Sequence, residues 1–447
     1  MTEPTAAPAA PTPAAPTPAA PVPAASSSSS TQTSESQRQR APRLALNPRN
    51  PSLSRVRNNT LSTGSSIDSE TSHRSKNIPM IYQMYESQYE DLRGTIYGPS
   101  SPDFHPVEAS KNLRAALHGL DTKDQTIINI VLYHNNFQHT KDQTIINIVL
   151  YHNNFQRQKI QGAYEDMFNR KLLDDLDEEC GGYFYEMCQA LFKPAPSYDA
   201  YCVYKSLSNR NADRSVAIEI ACTRSPRQLR ALRDTYLTDH RKALDKDITV
   251  KVEGVVGKML NLLLTSNREE GLGMKLNDQL VEKHAKMILA TTVDDIAKNV
   301  QLFEELFIGH SWKHIGAVLD KVDESKKDGH EIEAMIRRNK NIHSEIRLIL
   351  LTIARVSRSV QIYFAERLRT AMAYEHIDQS TIIRICVSRS EIDLQDISLE
   401  YKRKYQRTLE HDICQSTSGE YTRMICTMLS GFNNLENSFA PTPESIE

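Results

Sequence analysis

An all-α fold of four stacked helical repeats is expected for this chain of 447 residues, on three grounds. One phrase recurs: RQKIQGAYEDMFNRKLLDDL, RQLRALRDTYLTDHRKALDKDI and EIDLQDISLEYKRKYQRTLEHDI each close on Asp followed by Leu or Ile. Within it Tyr164, Tyr236 and Tyr401 are separated by 72 and 165 residues, and so are Asp175, Asp247 and Asp412. The longer gap is two repeats, so a weaker third copy falls near KHIGAVLDKVDESKKDGHEIEAMI. Repeats of this length are small helical units that bury their apolar faces on one another. Apolar residues also keep 3–4 spacing from about Pro106 onward, as in Leu113, Leu117 and Leu120, or Ile127, Ile130 and Val131. Finally, strand alternation is scarce, and 16 glycines are too few for a β-rich fold.

Taken in order, residues 1–91 read as a disordered tail. The first 30 are Pro, Ala, Ser and Thr, which bury too little apolar surface to offset chain entropy. Arg38, Arg40, Arg43, Arg49, Arg55 and Arg57 follow, with no acid between Glu35 and Asp68. The plain reading is a solvated basic linker; the sharper one is a regulatory tail. Arg49 lies three residues before Ser52 and Arg57 three before Thr60, and phosphate there would cancel local positive charge. Asn58–Asn59–Thr60 spells a glycosylation sequon, which carries no meaning in a cytosolic chain. The repeats are expected at 92–194, 195–268, 269–357 (with a linker) and 358–435, followed by a tail over 436–447.

Repeat 1 holds a duplication. Thr122–Gln138, TKDQTIINIVLYHNNFQ, recurs letter for letter as Thr140–Gln156, with His139 between. The second copy adjoins the following helix, which favours it for the core; the first would then be an extra helix or a bulge. A recent exon-scale duplication and a sequence-assembly artefact both account for identity this complete.

Composition excludes several classes. Lys plus Arg number 54 and Asp plus Glu 56, which argues against wholesale nucleic-acid binding. Seven cysteines with no CxxC pair suit reduced, mostly buried thiols rather than a disulfide framework. The N-terminus does not read as a signal peptide, and the apolar run near Ile349–Ala354 is too short to span a bilayer. No nucleophile elbow, phosphate-cradling glycine loop or zinc signature is present, so an enzyme is not expected. His310 and His314 have metal-compatible i, i+4 spacing but lack a neighbouring HExxH-type ligand. His134 and His152 read as helix-end polar residues, Trp312 as a half-buried packing residue, and Arg224 and Arg389 as core caps or pairs. Asp174, Asp175, Asp177 and Glu178 read as a solvated helix face.

At repeat 1, LRAALHGLDTKD and FQRQKIQGAYEDMFNRKLLDDLDEE resemble the first repeat of an annexin. YFAERLRTAM with VSRSEIDLQDISLEYKRKY resembles the fourth repeat, YDAYCVYKSL and IEIACTRSPRQLRAL the second, and KHAKMIL through LLTIARVSRS the third. The resemblance covers about residues 92 to 432. It implies four repeats of about five helices in a curved disc whose convex face meets anionic phospholipid through bridging Ca²⁺. It also implies a Gly-x-Gly-Thr loop supplying carbonyls and, about forty residues later, a bidentate carboxylate, suiting an ion that takes six to eight hard oxygens.

Measured against that pattern, the sites are degenerate. Repeat 1 keeps a candidate set of Leu117, Gly119, Asp121 and Glu179, with Asp121 where the second glycine belongs. Asp121 and Glu179 lie 58 apart, and removing the 18-residue duplication restores 40; in the second-copy register the loop becomes Phe137–Gln138–His139–Thr140. Repeat 2 has Asn209–Arg210–Asn211–Ala212 with Lys251 at the acid position, and repeat 4 has Tyr374–Glu375–His376–Ile377 with Ser416 there. Repeat 3 has no glycine in its expected loop, Thr292–Lys298, and no carboxylate over Ala334–His343. Gly271–Leu272–Gly273 reads as a connector. Arg210, Lys251 and Arg337 become candidate lipid-binding cations. Two functions are therefore expected to compete: a cytoplasmic, peripheral membrane protein with weak or partial calcium use, or a calcium-independent scaffold whose basic tail binds a protein partner.

Overall fold

The computed structural model describes residues 93–118, 141–208, 213–268, 275–325, 331–373 and 376–431, and every regular element among them is helical. Repeat 1 comprises α1 (Pro106–His118), α2 (141–151), α3 (Asn154–Phe168), α4 (Leu172–Glu179) and α5 (Gly182–Phe192). Repeat 2 comprises α6 (Ala195–Ser206), α7 (Ser215–Thr223), α8 (Pro226–His240), α9 (Leu244–Lys251) and α10 (Gly254–Thr265). Repeat 3 runs from α11 (Asp278–Leu289) through α12 (Val293–Lys298), α13 (Val300–Phe307), α14 (Trp312–Glu324) and α15 (Glu331–Arg338) to α16 (Ser344–Arg358). Repeat 4 holds α17 (Val360–Ala371), α18 (Gln379–Arg389), α19 (Leu394–Tyr405), α20 (Leu409–Ser416) and α21 (Gly419–Ser430). The basic tail and the first copy of the duplication lie outside the described residues.

Local signals start and stop these helices. Asn153 with Gln156 forms a capping box that opens α3, and Ser225 with Gln228 opens α8 behind Pro226 at the first turn. The long third helices of repeats 1, 2 and 4 end on left-handed Asn169, Arg241 and Gln406, spaced by the same 72 and 165 residues. Repeat 3 departs from the five-helix expectation. Thr292 and Asp295 cap each other, so Thr292–Lys298 is not the expected loop but leads into a helix. Asn299 then ends α12 and accepts from the amides of Gln301 and Leu302 to start α13, splitting the second helix in two.

The second copy of the duplication packs into the core. Ile145, Ile146 and Val149 are wholly buried, as are Leu113 of α1 and Ile160 of α3. In every repeat the first long helix packs against the third, and repeat 1 meets repeat 4 (α5 with α18 and α21) while repeat 2 meets repeat 3 (α7 with α16).

The repeated Tyr and Asp are one device. Tyr164 donates to Asp175 at 2.5 Å, Tyr236 to Asp247 at 2.6 Å and Tyr401 to Asp412 at 2.5 Å. Each bond crosses from the third helix to the fourth, and all three tyrosines are fully buried. Asp175 is therefore no part of a solvated face: it is buried between Tyr164, Arg114, Arg170 and His118. Burial pushes its carboxyl up, but hydrogen bonds from Arg170, Tyr164 and His118 outweigh that and hold it at about 2. In repeat 3, by contrast, Asp323 of α14 and Glu333 of α15 converge on Arg358.

Buried ion pairs tie repeats together. Glu219 of α7 is fully buried and accepts from Arg384 of α18 at 3.0 Å and Arg367 of α17 at 3.3 Å. Arg157 of α3 reaches Glu391 at 3.0 Å. Arg224 clasps Asp199 through two bonds and Arg389 clasps Asp393 likewise, so both arginines are structural.

Candidate functional site

The resemblance places its calcium sites where the start of the second helix of a repeat faces the turn between the fourth and fifth. The described residues show four such junctions, and a nitrogen of the protein closes each.

In repeat 1 the acid survives and is engaged. Lys141, at the start of α2, lies with its Nζ 2.5 Å from Glu179 Oε2 at the end of α4. The lysine side chain is 6 % exposed and the glutamate 35 %, so the ammonium is the sequestered partner. A buried ammonium is costly unless paired, and Glu179 compensates it. The Cys180 thiol next in sequence is pushed up to about 12, chiefly by burial and then by Asp142. Leu117 sits in the last turn of α1 with its side chain in the core. Gly119, Asp121 and His139 lie outside the described residues.

In repeat 2 an arginine does the closing. Arg214, the residue before α7, donates through Nη2 to the Lys251 carbonyl at 3.2 Å and through Nη1 to Glu345 at 2.8 Å. Lys251 itself turns inward: its Nζ is 2.8 Å from Asp247 and 5.2 Å from the centre of the Tyr204 ring, and the side chain is 18 % exposed. Lys251 thus spends its charge within the protein rather than presenting it to a lipid. Repeat 3 joins Asn339 Nδ2 to Asp294 of α12 at 2.5 Å. Repeat 4 joins Gln379, the first residue of α18, to the Ser416 carbonyl at 3.4 Å. In all, one ammonium, one guanidinium and two amides point their N–H groups across the four junctions.

Exposed apolar side chains flank these junctions, a feature sequence reasoning missed. Tyr183 in repeat 1, Val250 in repeat 2, Leu289 in repeat 3 and Ile377 in repeat 4 are each at least 39 % exposed. Other large apolar groups are exposed elsewhere, Leu237 and Leu399 among them, but these four place one at every junction. A cleft of about 520 Å³, lined by Gly181, Tyr183, Gln379, Ser416 and Tyr421, brings the junctions of repeats 1 and 4 side by side. Arg337 is 51 % exposed on α15 while bonded to Glu333 at 2.9 Å. Arg210 lies outside the described residues.

The histidine pair gains a third member. His284 of α11 comes within 3.1 Å of His314, and His310 meets His284 edge-on and lies tilted beside His314. Burial first, then His310 and His284, lowers His314 to about 4. No group of three or more His, Cys, Asp or Glu among the described residues is arranged to hold a metal. Trp312 is half-buried, with Arg268 Cζ 4.4 Å above its ring.

A profile of the annexin family matches residues 137–191, 198–263 and 363–428, leaving out repeat 3. The chain is 31 % identical over 340 residues to annexin A5 of Macaca fascicularis, spanning 76 % of this chain and 98 % of that one. It is 30 % identical to annexin A11 of Oryctolagus cuniculus over 76 % of this chain and 62 % of that protein. Among solved structures, annexin III superposes with a TM-score of 0.66 at 27 % identity, covering 76 % of this chain and 97 % of that one. Chicken annexin V, determined in complex with Zn²⁺, superposes at 0.65 and 28 % identity, over 76 % of this chain and 99 % of that one.

Proposed function

The chain belongs to the annexin family, whose members bind membrane phospholipids in a calcium-dependent fashion, and from that premise we propose that this annexin binds anionic phospholipid with little or no calcium. One observation carries the reading: at each junction a protein N–H reaches toward an oxygen that a bridging ion would need, directly or in its place. Calcium requires six to eight oxygen ligands. The Lys141 ammonium, the Arg214 guanidinium and the Asn339 and Gln379 amide N–H groups donate to junction oxygens instead of ligating a cation, and the one retained carboxylate, Glu179, already neutralises Lys141. Among the described residues, those at the junctions do not fit the ion.

Membrane attachment then falls to the side chains beside the junctions. Tyr183, Val250, Leu289 and Ile377 can enter the headgroup layer, while Arg337, together with Arg210 outside the described residues, attracts anionic headgroups; Lys251, held by Asp247, does not. Each cation near such a surface contributes about 1 kcal/mol. The protein acts as a peripheral, non-enzymatic partner of the cytosolic leaflet.

Co-sedimentation with phosphatidylserine vesicles tests this. Binding is expected in chelator at low salt and weakens as salt rises, because exposed charges are screened. Binding that appears only with millimolar calcium would overturn it. Absence of binding in every condition, with partner capture lost on removing residues 1–91, would transfer the function to the scaffold reading.

A further inference from the structure

Seven cysteines are present, and the structure brings two of them together. Cys414 Sγ lies 3.1 Å from Cys426 Sγ, across the gap between α20 and α21. These helices are joined by Thr417 and Ser418, and Gly419 opens α21 with φ +68°, a left-handed angle that suits glycine where the chain reverses. Cys414 is exposed and Cys426 is partly so. The remaining thiols differ in kind. Cys180, Cys188, Cys222 and Cys386 are buried and Cys202 is partly so, and none of them shares the close thiol contact that Cys414 and Cys426 make. Burial pushes the Cys426 thiol up too, so the exposed Cys414 is the member placed to react first.

We propose that Cys414 and Cys426 are a reversible redox site that closes to a disulfide and pins α20 to α21. The sulfurs need to approach by only about 1 Å to reach bonding distance, within the range of side-chain rotation. A peroxide is the oxidant. The exposed Cys414 thiolate attacks one peroxide oxygen, the O–O bond breaks, and Cys414 becomes a sulfenic acid while the departing hydroxide takes a proton to leave as water. The Cys426 sulfur then attacks the Cys414 sulfur. The S–S bond forms, the S–O bond breaks, and the hydroxyl leaves as water with the Cys426 proton. Two thiols and one peroxide thus give one disulfide and two waters, and a dithiol reductant reverses it through a mixed disulfide.

The pair borders the repeat 4 junction, where Ser416 accepts from Gln379, and its chemistry is read without any lipid present. The full chain is treated with hydrogen peroxide, remaining thiols are alkylated, and the unreduced digest is read by mass spectrometry. Trypsin cuts at Arg423, between the two cysteines, so the bond joins two separate peptides. The expected result is a Cys414–Cys426 linked pair lighter by two hydrogen masses than the sum of its parts. It should be lost in both Cys414→Ser and Cys426→Ser, kept in Cys202→Ser, and reversed by dithiothreitol. Sulfinic or sulfonic acid at Cys414 without the link would overturn the proposal. So would Cys414 linked to a different cysteine in the natural chain, or no oxidation at all in a sample whose circular dichroism is native.

Discussion

At the scale of the residue, buried Tyr–Asp bonds explain why two residue types recur at fixed spacing. The spacing was legible in sequence, but the bond was not, because a helix-to-helix contact is set by packing rather than by position along the chain. The same blindness put Asp175 on a solvated face: an acidic run on a short helix reads as exposed until a tyrosine and two arginines converge on one member. Removing that carboxylate leaves Arg114 and Arg170 without their shared partner, so Asp175→Asn should cost about 3 kcal/mol in urea unfolding. Tyr236→Phe, which removes one hydrogen bond to Asp247, should cost about 1 to 2 kcal/mol. Histidines set the pH dependence. His152 and His314 are both lowered from 6.5 to about 4, in each case chiefly by burial, so the unfolded chain takes up protons first. Their contribution is complete above about 6.5 and is lost as pH falls toward about 4. The urea midpoint should drop across that window, and His314→Gln should flatten the drop whatever it does at neutral pH. Around that site His284, His310, Lys283 and Glu305 are the other titrating groups.

At the scale of the element, the duplicated segment shows how far periodicity reaches. Two identical stretches have identical propensity, so only their connections distinguish them. The second copy runs straight into the capping box at Asn153 and Gln156, and its isoleucines fill the core. Deleting residues 122–139 should therefore leave the thermal midpoint within a few degrees, because the core helix remains. Ile145→Ala, which empties a fully buried site, should cost about 2 to 5 kcal/mol. Calorimetry of Ile145→Ala beside Ile127→Ala, the equivalent position in the first copy, decides which copy the core uses. Repeat 3 was legible only in outline. Its second helix is interrupted at Asn299, and Arg358, rather than a tyrosine, connects its third and fourth helices. Both features lie off the repeated phrase, so a search for that phrase does not find them.

At the scale of the whole molecule, the repeats are held by buried charge as well as by apolar contact. Glu219 of repeat 2 faces two arginines of repeat 4, and Glu219→Gln should cost about 3 kcal/mol and lower the cooperativity of unfolding, as read by denaturant titration. At the four junctions the sequence lacks the glycine loops, and three of the four acids, that the family resemblance leads one to expect. It could not show what had replaced them, since Lys141 and Glu179 lie 38 residues apart and Asp294 and Asn339 lie 45 apart. Closure of the junctions by the protein's own nitrogen donors stands or falls at Glu179, the one acid present at its expected position. The direct measurement is the calcium dependence of phosphatidylserine-vesicle binding in the natural chain and in Glu179→Gln. Two flat, superimposable curves from chelator to millimolar calcium are predicted. A calcium-driven rise in the natural chain that Glu179→Gln abolishes would show that Glu179 ligates calcium and that the junction is open to the ion.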